Sequence, residues 1–182
     1  IDNIGKLPEP SKNALKEIIS EVTHPKGHIL FRADKVETKV YFIKKGIVRA
    51  YTELADNEIT FWFGREGDTG VVSMKSYVSN QRGYENIELL EECELYEVRK
   101  RALHELFCKD IHIANWGREF AEKELLKTEE RFIGRQFKTS LERYRDLMNH
   151  TPDLLQRVQL GYIASYLGIT QVSLSRIRAK FR

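Results

Sequence analysis

Two cysteines in 182 residues, Cys93 and Cys108, are too few for a secreted disulfide framework or a thiolate metal site, and nothing in their spacing suggests pairing. A reducing cytoplasm is the expected home. No apolar run approaches the ~20 residues that cross a bilayer, and no charged-then-apolar signal peptide opens the chain, so no membrane partner is expected. The chain opens on Ile1 and not on Met, so native residues are expected to precede it. Proline is absent between Arg99 and His150, which leaves that stretch free to be helical. The most telling absence is at the other end. The last 29 residues, Leu154 to Arg182, hold no Asp or Glu while carrying Arg157, Arg176, Arg178, Lys180 and Arg182. The formal net charge of +3 is modest, so the signal lies in this concentration.

Within that segment two short helices are expected, joined at Gly168. Leu160, Ile163, Ala164 and Leu167 follow i, i+3, i+4, i+7 and form one apolar face. Gly168 supplies the positive φ of a tight turn, Ile169 fills the corner, and Thr170 is suited to cap the second helix, whose inward stripe is Leu174, Ile177 and Phe181. Gln171, Val172, Ser173 and Arg176 are left on the outer face of its first two turns. That is the layout of a reader of the DNA major groove, and the absence of carboxylates suits contact with phosphate. A solvated helical hairpin is the alternative.

Upstream, Pro10-Ser11 opens a short helix expected to reach Ile19. From Thr23 to Val98 short β-type segments, His28–Phe31, Val40–Ala50, Ile59–Phe63 and Leu95–Val98, are separated by Pro25-Lys26-Gly27, Ala55-Asp56-Asn57-Glu58 and Gly64 to Gly70, the pattern of a sandwich or barrel. The acidic run Glu85, Glu88, Glu91, Glu92, Glu94 and Glu97 reads as the wet face of strands and turns, with no function assigned. Beyond Lys100 the period lengthens to helix. Ile113, Trp116 and Phe120, then Leu125, Leu126, Phe132 and Ile133, line a long apolar face, with Gly134 as the expected hinge. Phe137, Leu141, Tyr144 and Met148 begin a new helix that Thr151-Pro152 ends.

Ile163-Ala164-Ser165-Tyr166-Leu167-Gly168-Ile169-Thr170, followed by Ser173-Leu174-Ser175-Arg176-Ile177, resembles the helix-turn-helix of the Crp/Fnr transcription regulators. Tyr41-Phe42-Ile43-Lys44-Lys45-Gly46-Ile47-Val48-Arg49 resembles the strand, turn and strand at the heart of that family's cyclic-nucleotide-binding-type barrel. The resemblance implies an α+β chain in three parts: an N-terminal double-stranded β-helix (jelly-roll) effector barrel over 1–110, a dimerisation helix and hinge over 111–134, and a C-terminal helix-turn-helix domain over 135–182. It implies a homodimer paired through Ile113, Trp116, Phe120 and Leu125, an inverted-repeat operator in double-stranded DNA, and RNA polymerase as a partner. In family terms Thr170 and Ser173 bond phosphates and Gln171, Val172 and Arg176 read bases, while Lys180 and Arg182, further along the helix, are expected to meet phosphate or solvent. The chain stops five residues after Ile177, which leaves no room for the β-hairpin wing that often follows, so the expectation is that either the wing is absent or the chain is trimmed.

The effector site departs from the cyclic-AMP-binding pattern of the family. Gly70 is followed by Val71 and Val72, so the ribose-binding carboxylate is missing, and the matching Ile87, Leu89 and Cys93 place Gly83 where the phosphate-binding Arg belongs, with Arg82 one residue out of register. Thr128 lies near the place of the family's base contact. The expected effector pocket is therefore Gly70, Val71, Val72, Arg82, Gly83 and Thr128, its ligand unknown and not cyclic AMP. Iron–sulfur sensing needs four cysteines, and none of His24, His28, His104, His112 and His150 has a haem-ligand context, so no cofactor is expected. Two other classes compete. A metal-dependent barrel enzyme needs converging His and carboxylate ligands, and only His24 and His28 stand near each other. A sensor module without DNA contact would have no reason to present Arg176 on an acid-free face. The expectation is thus a regulator and not an enzyme.

Overall fold

The computed structural model describes every residue except Asn3, Asp56, Thr69 and Arg182. Asp56 of the expected turn, Thr69 of the Gly64 to Gly70 loop and Arg182 of the basic tail therefore lie outside the described residues. Contacts divide the chain into two compact units, residues 1–50 with 63–126, and residues 51–62 with 127–182. This partition differs from the expected boundaries, because a strand hairpin goes with the C-terminal helices.

In the first unit, α1 (Glu9–Glu17) starts from Pro8 and buries Leu15. It stops short of Ile19, which instead opens β1 (Ile19–His24), a strand not foreseen. β2 (Ile29–Phe31) and β3 (Lys39–Lys45) follow, then β4 (Val48–Leu54) and β5 (Asn57–Gly64), whose residues 51–62 belong to the second unit. Next come the short helix α2 (Met74–Ser79), then β6 (Asn86–Leu89) and β7 (Cys93–Arg99). The strands make two sheets, ordered β1-β7-β3 and β2-β6-β4-β5. β7 pairs antiparallel with both neighbours, with Ile19 opposite Val98 on one side and Val40 opposite Val98 on the other. Gly46 makes the β3–β4 turn possible. Its φ is +112°, and an added Cβ would lie 2.3 Å from Cys93 Sγ, so only glycine fits. Burial pushes the Cys93 thiol up to about 11, which keeps it unreactive.

α3 (Lys100–Lys109) leads into α4 (Ile111–Phe137). Ile113 and Trp116, expected at a dimer seam, are instead fully buried in this unit's core with Ile4, Leu15, Val98 and Leu103. Trp116 Nε1 donates to the Ile1 carbonyl at 3.2 Å, and Phe120 is half-buried in an aromatic cluster with Trp116 and Phe42. The reason is geometric. Phe120 to Leu125 is a step of five residues, about 500° of helical rotation, so the apolar positions after Phe120 fall on a different face. That second face carries Leu125, Leu126, Phe132, Ile133 and Phe137, all exposed.

α4 does not hinge at Gly134; it runs through to Phe137. A glycine costs a helix only about 1 kcal/mol, too little to break one of this length. The break comes where Thr139 caps α5 (Ser140–His150) in a capping box, its side chain accepting from the Glu142 N–H while the Glu142 carboxylate accepts from the Thr139 N–H at 2.8 Å. Those bonds to Thr139 hold the Glu142 carboxyl below its ordinary range. α6 (Pro152–Arg157), α7 (Leu160–Leu167) and α8 (Gln171–Ala179) complete the second unit, α6 being unforeseen. Its core is Tyr144, Leu147, Leu154, Val158, Ile163, Ala164, Leu167 and Leu174. In the same unit Ser165 of α7 grips the edge strand β5: its hydroxyl donates to the Glu58 carbonyl at 2.8 Å and accepts from the Thr60 N–H at 2.9 Å.

Candidate functional site

The α7–α8 corner forms as its residues dictate. Gly168 has φ +66°, its N–H reaching the Ser165 carbonyl and the Ile169 N–H the Ala164 carbonyl, each at 3.0 Å. This is the left-handed helix end that glycine makes cheap. Arg143 of α5 closes the same end, donating to the Leu167 carbonyl at 2.6 Å. Burial pushes the neighbouring Tyr166 hydroxyl up, against the opposing pull of Arg131, Arg135 and Arg143.

α8 begins at Thr170, whose Oγ1 accepts from the Ser173 N–H at 3.1 Å and donates to Ser173 Oγ at 3.0 Å. The Ser173 hydroxyl keeps its own hydrogen for another acceptor. Leu174 is buried and Ile177 half-buried, whereas Gln171, Val172, Ser175, Arg176, Ala179 and Lys180 are all exposed. At positions i, i+1, i+4, i+5, i+8 and i+9 they form one continuous face, and none is acidic. Val172 is 61 % exposed on that face. The Gln171 amide lies back over α7, so an added Cβ at Gly161 would meet it at 2.6 Å. Phe181 packs on Tyr144, ring centroids 5.6 Å apart, with the Arg145 guanidinium 5.8 Å from its centroid.

Of the barrel residues expected to form an effector pocket, Gly83 lies against Ser73, the residue after Val72. Gly70 is closed in: an added Cβ would lie 3.1 Å from the Tyr41 carbonyl and 3.2 Å from Phe120 and Phe42. Val71 is buried and exchanges backbone hydrogen bonds with Tyr41, while Val72 is half-buried. Arg82 is exposed, and Gly83 next to it is half-buried. Thr128 belongs to the other unit, exposed on α4, where its Oγ1 accepts from Arg131 at 2.8 Å.

Two charged groups not singled out from the sequence lie inside the first unit. Arg49 is 1 % exposed and pairs with Glu88 at 3.3 Å. Glu85, expected on a wet face, is 7 % exposed. Its Oε2 accepts from the Tyr84 N–H at 3.0 Å, while Oε1 is buried without a hydrogen-bond partner. His24 and His28 stack with centroids 4.3 Å apart, and burial, then the His24 charge, pulls His28 down. Among the described residues no three His, Cys, Asp or Glu side chains converge as metal ligands, and no helix is long and apolar enough to cross a membrane.

Residues 21–110 match the cyclic nucleotide-binding domain family. No curated protein sequence matches the chain. Among solved structures it is similar to FixK2 from Bradyrhizobium japonicum, at 20 % identity and TM-score 0.74 over 90 % of this chain and 84 % of that one. It is also similar to CLP from Xanthomonas campestris, a regulator described as responsive to c-di-GMP, at 18 % identity and TM-score 0.73 over 96 % of this chain and 91 % of CLP. A regulator assigned to the Crp/Fnr family from Eubacterium rectale aligns at 15 % identity and TM-score 0.74, over 96 % of this chain and 83 % of that one. The jelly-roll-like barrel over residues 21–110 is a cyclic nucleotide-binding domain, and the chain has the fold of the Crp/Fnr transcription regulators.

Proposed function

We propose that the chain is a sequence-specific, DNA-binding transcription regulator that acts as a homodimer in the cytoplasm, without enzymatic activity of its own. The barrel is its sensor, α4 its pairing helix, and α7–α8 a helix-turn-helix whose second helix enters the major groove. The observation that carries this reading is the acid-free outer face of α8, with Arg176 and Lys180 on it and Val172 held out uncovered. Positive charge without a carboxylate competitor draws phosphate, and an exposed apolar group beside a guanidinium suits a thymine methyl next to a guanine. Thr170 caps the helix against the backbone, and Ser173, with its free hydroxyl hydrogen, donates to a phosphate oxygen. RNA polymerase is the expected protein partner.

Two recognition helices on one face of the duplex call for an inverted repeat with half-sites roughly 34 Å apart. Arg176→Ala should cost about 1–3 kcal/mol and relax one position in each half-site, because the guanidinium fork suits guanine O6 and N7. Lys180→Ala should weaken all sequences alike and flatten the salt dependence by about one counterion per site. Selection of bound sites from random duplexes, repeated over a salt series, checks both. An unchanged preferred sequence in Arg176→Ala removes that residue as a base reader; a wild type with no preferred sequence overturns the regulator reading.

Cyclic AMP is not the effector of this reading. Gly70 is followed by Val71 and Val72 with no ribose-binding carboxylate, Arg82 is turned to solvent, and the buried Glu85 carboxyl lies beside Gly83. A cyclic phosphate there would be desolvated beside an acid. Calorimetric titration at micromolar cyclic AMP should show no binding; tight binding lost in Arg82→Ala would overturn this.

A further inference from the structure

We propose that the cleft where β3, β7 and α3 meet binds a small phosphorylated molecule. It is a site apart from the expected effector pocket, none of whose residues lines it.

The cleft has a volume of about 630 Å³, of the size that small-molecule sites take. Four cations, Lys39, Arg99, Lys100 and Arg101, line it together with His104, and no carboxylate among the described residues does. All of them belong to the first unit. Like charges gathered in one cleft repel, and the acids nearby do not cancel them. Glu97 pairs with Lys39 at 2.9 Å, and Glu105 pairs with Arg101 at 3.0 Å, where the Arg101 side chain is 92 % exposed and little holds it. Lys100 has no acid beside it; it donates to the Ser76 carbonyl at 3.0 Å and lies 5.6 Å from the centre of the Tyr77 ring. The Arg99 guanidinium has no hydrogen bond or ion pair among the described residues. The start of α3 adds to the imbalance. No side chain caps it and no acid stands in its first turn, so the cations crowd the end where the helix dipole is itself positive.

An excess of positive charge around an open volume calls for an anion. Phosphate suits this set better than carboxylate, because its second charge and third oxygen let it meet the Arg99 fork and the Lys100 ammonium at once. The Thr38 hydroxyl and the Asn80 amide, also on the lining and both exposed, supply neutral donors beside them. One phosphate fills only part of the volume, which leaves room for the molecule that carries it.

The test uses the whole 182-residue chain, with pyrophosphate as probe, sodium chloride at matched ionic strength as control and malonate as the carboxylate counterpart. His104 reports locally, since it lines the cleft, whereas His150, the last residue of α5, reports on the unit that carries the basic recognition helix. The His104 ring resonances, identified by their loss in His104→Gln, should shift saturably with half-saturation at or below about 1 mM, a fitting affinity for so small a probe. Chloride should not move them. Arg99→Gln, which removes an exposed side chain without partners, should weaken binding about tenfold, as the loss of one charge-assisted hydrogen bond does. Malonate should bind at least tenfold more weakly than pyrophosphate. Unmoved His104 resonances, a shift confined to His150, a shift that does not saturate or one that chloride reproduces each overturns the proposal. So does an affinity unchanged in Arg99→Gln, and malonate bound as tightly as pyrophosphate overturns the assignment to phosphate. The wild-type titration decides the question even if a variant fails to fold.

Discussion

Leu125→Asp and Phe132→Asp should each turn a dimer into a monomer at micromolar concentration and lower affinity for the inverted repeat by about a hundredfold or more. Leu125 is 70 % and Phe132 61 % exposed, and with Leu126, Ile133 and Phe137 they leave the distal face of α4 apolar and uncovered. A two-fold interface sets each residue near its own copy, so an aspartate there brings like charges together in a desolvated seam. Losing the dimer also loses the second half-site, whose capture is worth about 10²–10⁴ through effective concentration. Sedimentation and a binding titration on the palindrome read the two effects. Ile113→Asp or Trp116→Asp is no substitute, since both side chains belong to the barrel core and a charge there unfolds it. A wild type that is monomeric both free and on DNA overturns the pairing.

Gly46→Ala should cost about 3–5 kcal/mol, a large share of the 5–15 kcal/mol that holds a typical domain folded. The new Cβ would sit 2.3 Å from Cys93 Sγ and 3.0 Å from Cys93 Cα, a backbone atom that cannot step aside without disturbing β7, and φ +112° adds strain. Gly168→Ala is the matched control: its φ of +66° is also left-handed, but nothing lies within 4 Å of the added atom. It should cost about 1–2 kcal/mol, the conformational part alone. Urea unfolding of the three proteins compares them. Equal losses would mean that the contact with Cys93 carries no weight.

The comparison of these glycines also shows what a sequence can and cannot disclose. Gly168 was legible because local rules suffice: an apolar i, i+3, i+4, i+7 stripe before it and Thr170 after it. The closeness of Gly46 to Cys93 depends on strands far apart in the chain. β1 was missed because Ser20 and Glu21 blur its alternation, and β6 because four residues inside an acidic run give little pattern. The end of α4 was misplaced at Gly134 although Thr139-Ser140-Leu141-Glu142 spells a capping box, a signal that was there to read. So was the inward turn of Glu85. It shares parity with Ile87 and Leu89, both buried, and period-two alternation would have assigned it to the same face. The exit of Ile113 and Trp116 from the dimer seam was not legible, since periodicity says that a face is apolar and not which surface covers it.

Ser165 has a consequence for solubility. β5 ends its sheet, and a terminal strand normally offers open rungs on which a second chain can add itself. At Glu58 and Thr60 the rungs are already filled, the carbonyl by the serine hydrogen and the amide by the serine oxygen. One hydroxyl on a helix thereby acts as a stopper on a sheet margin.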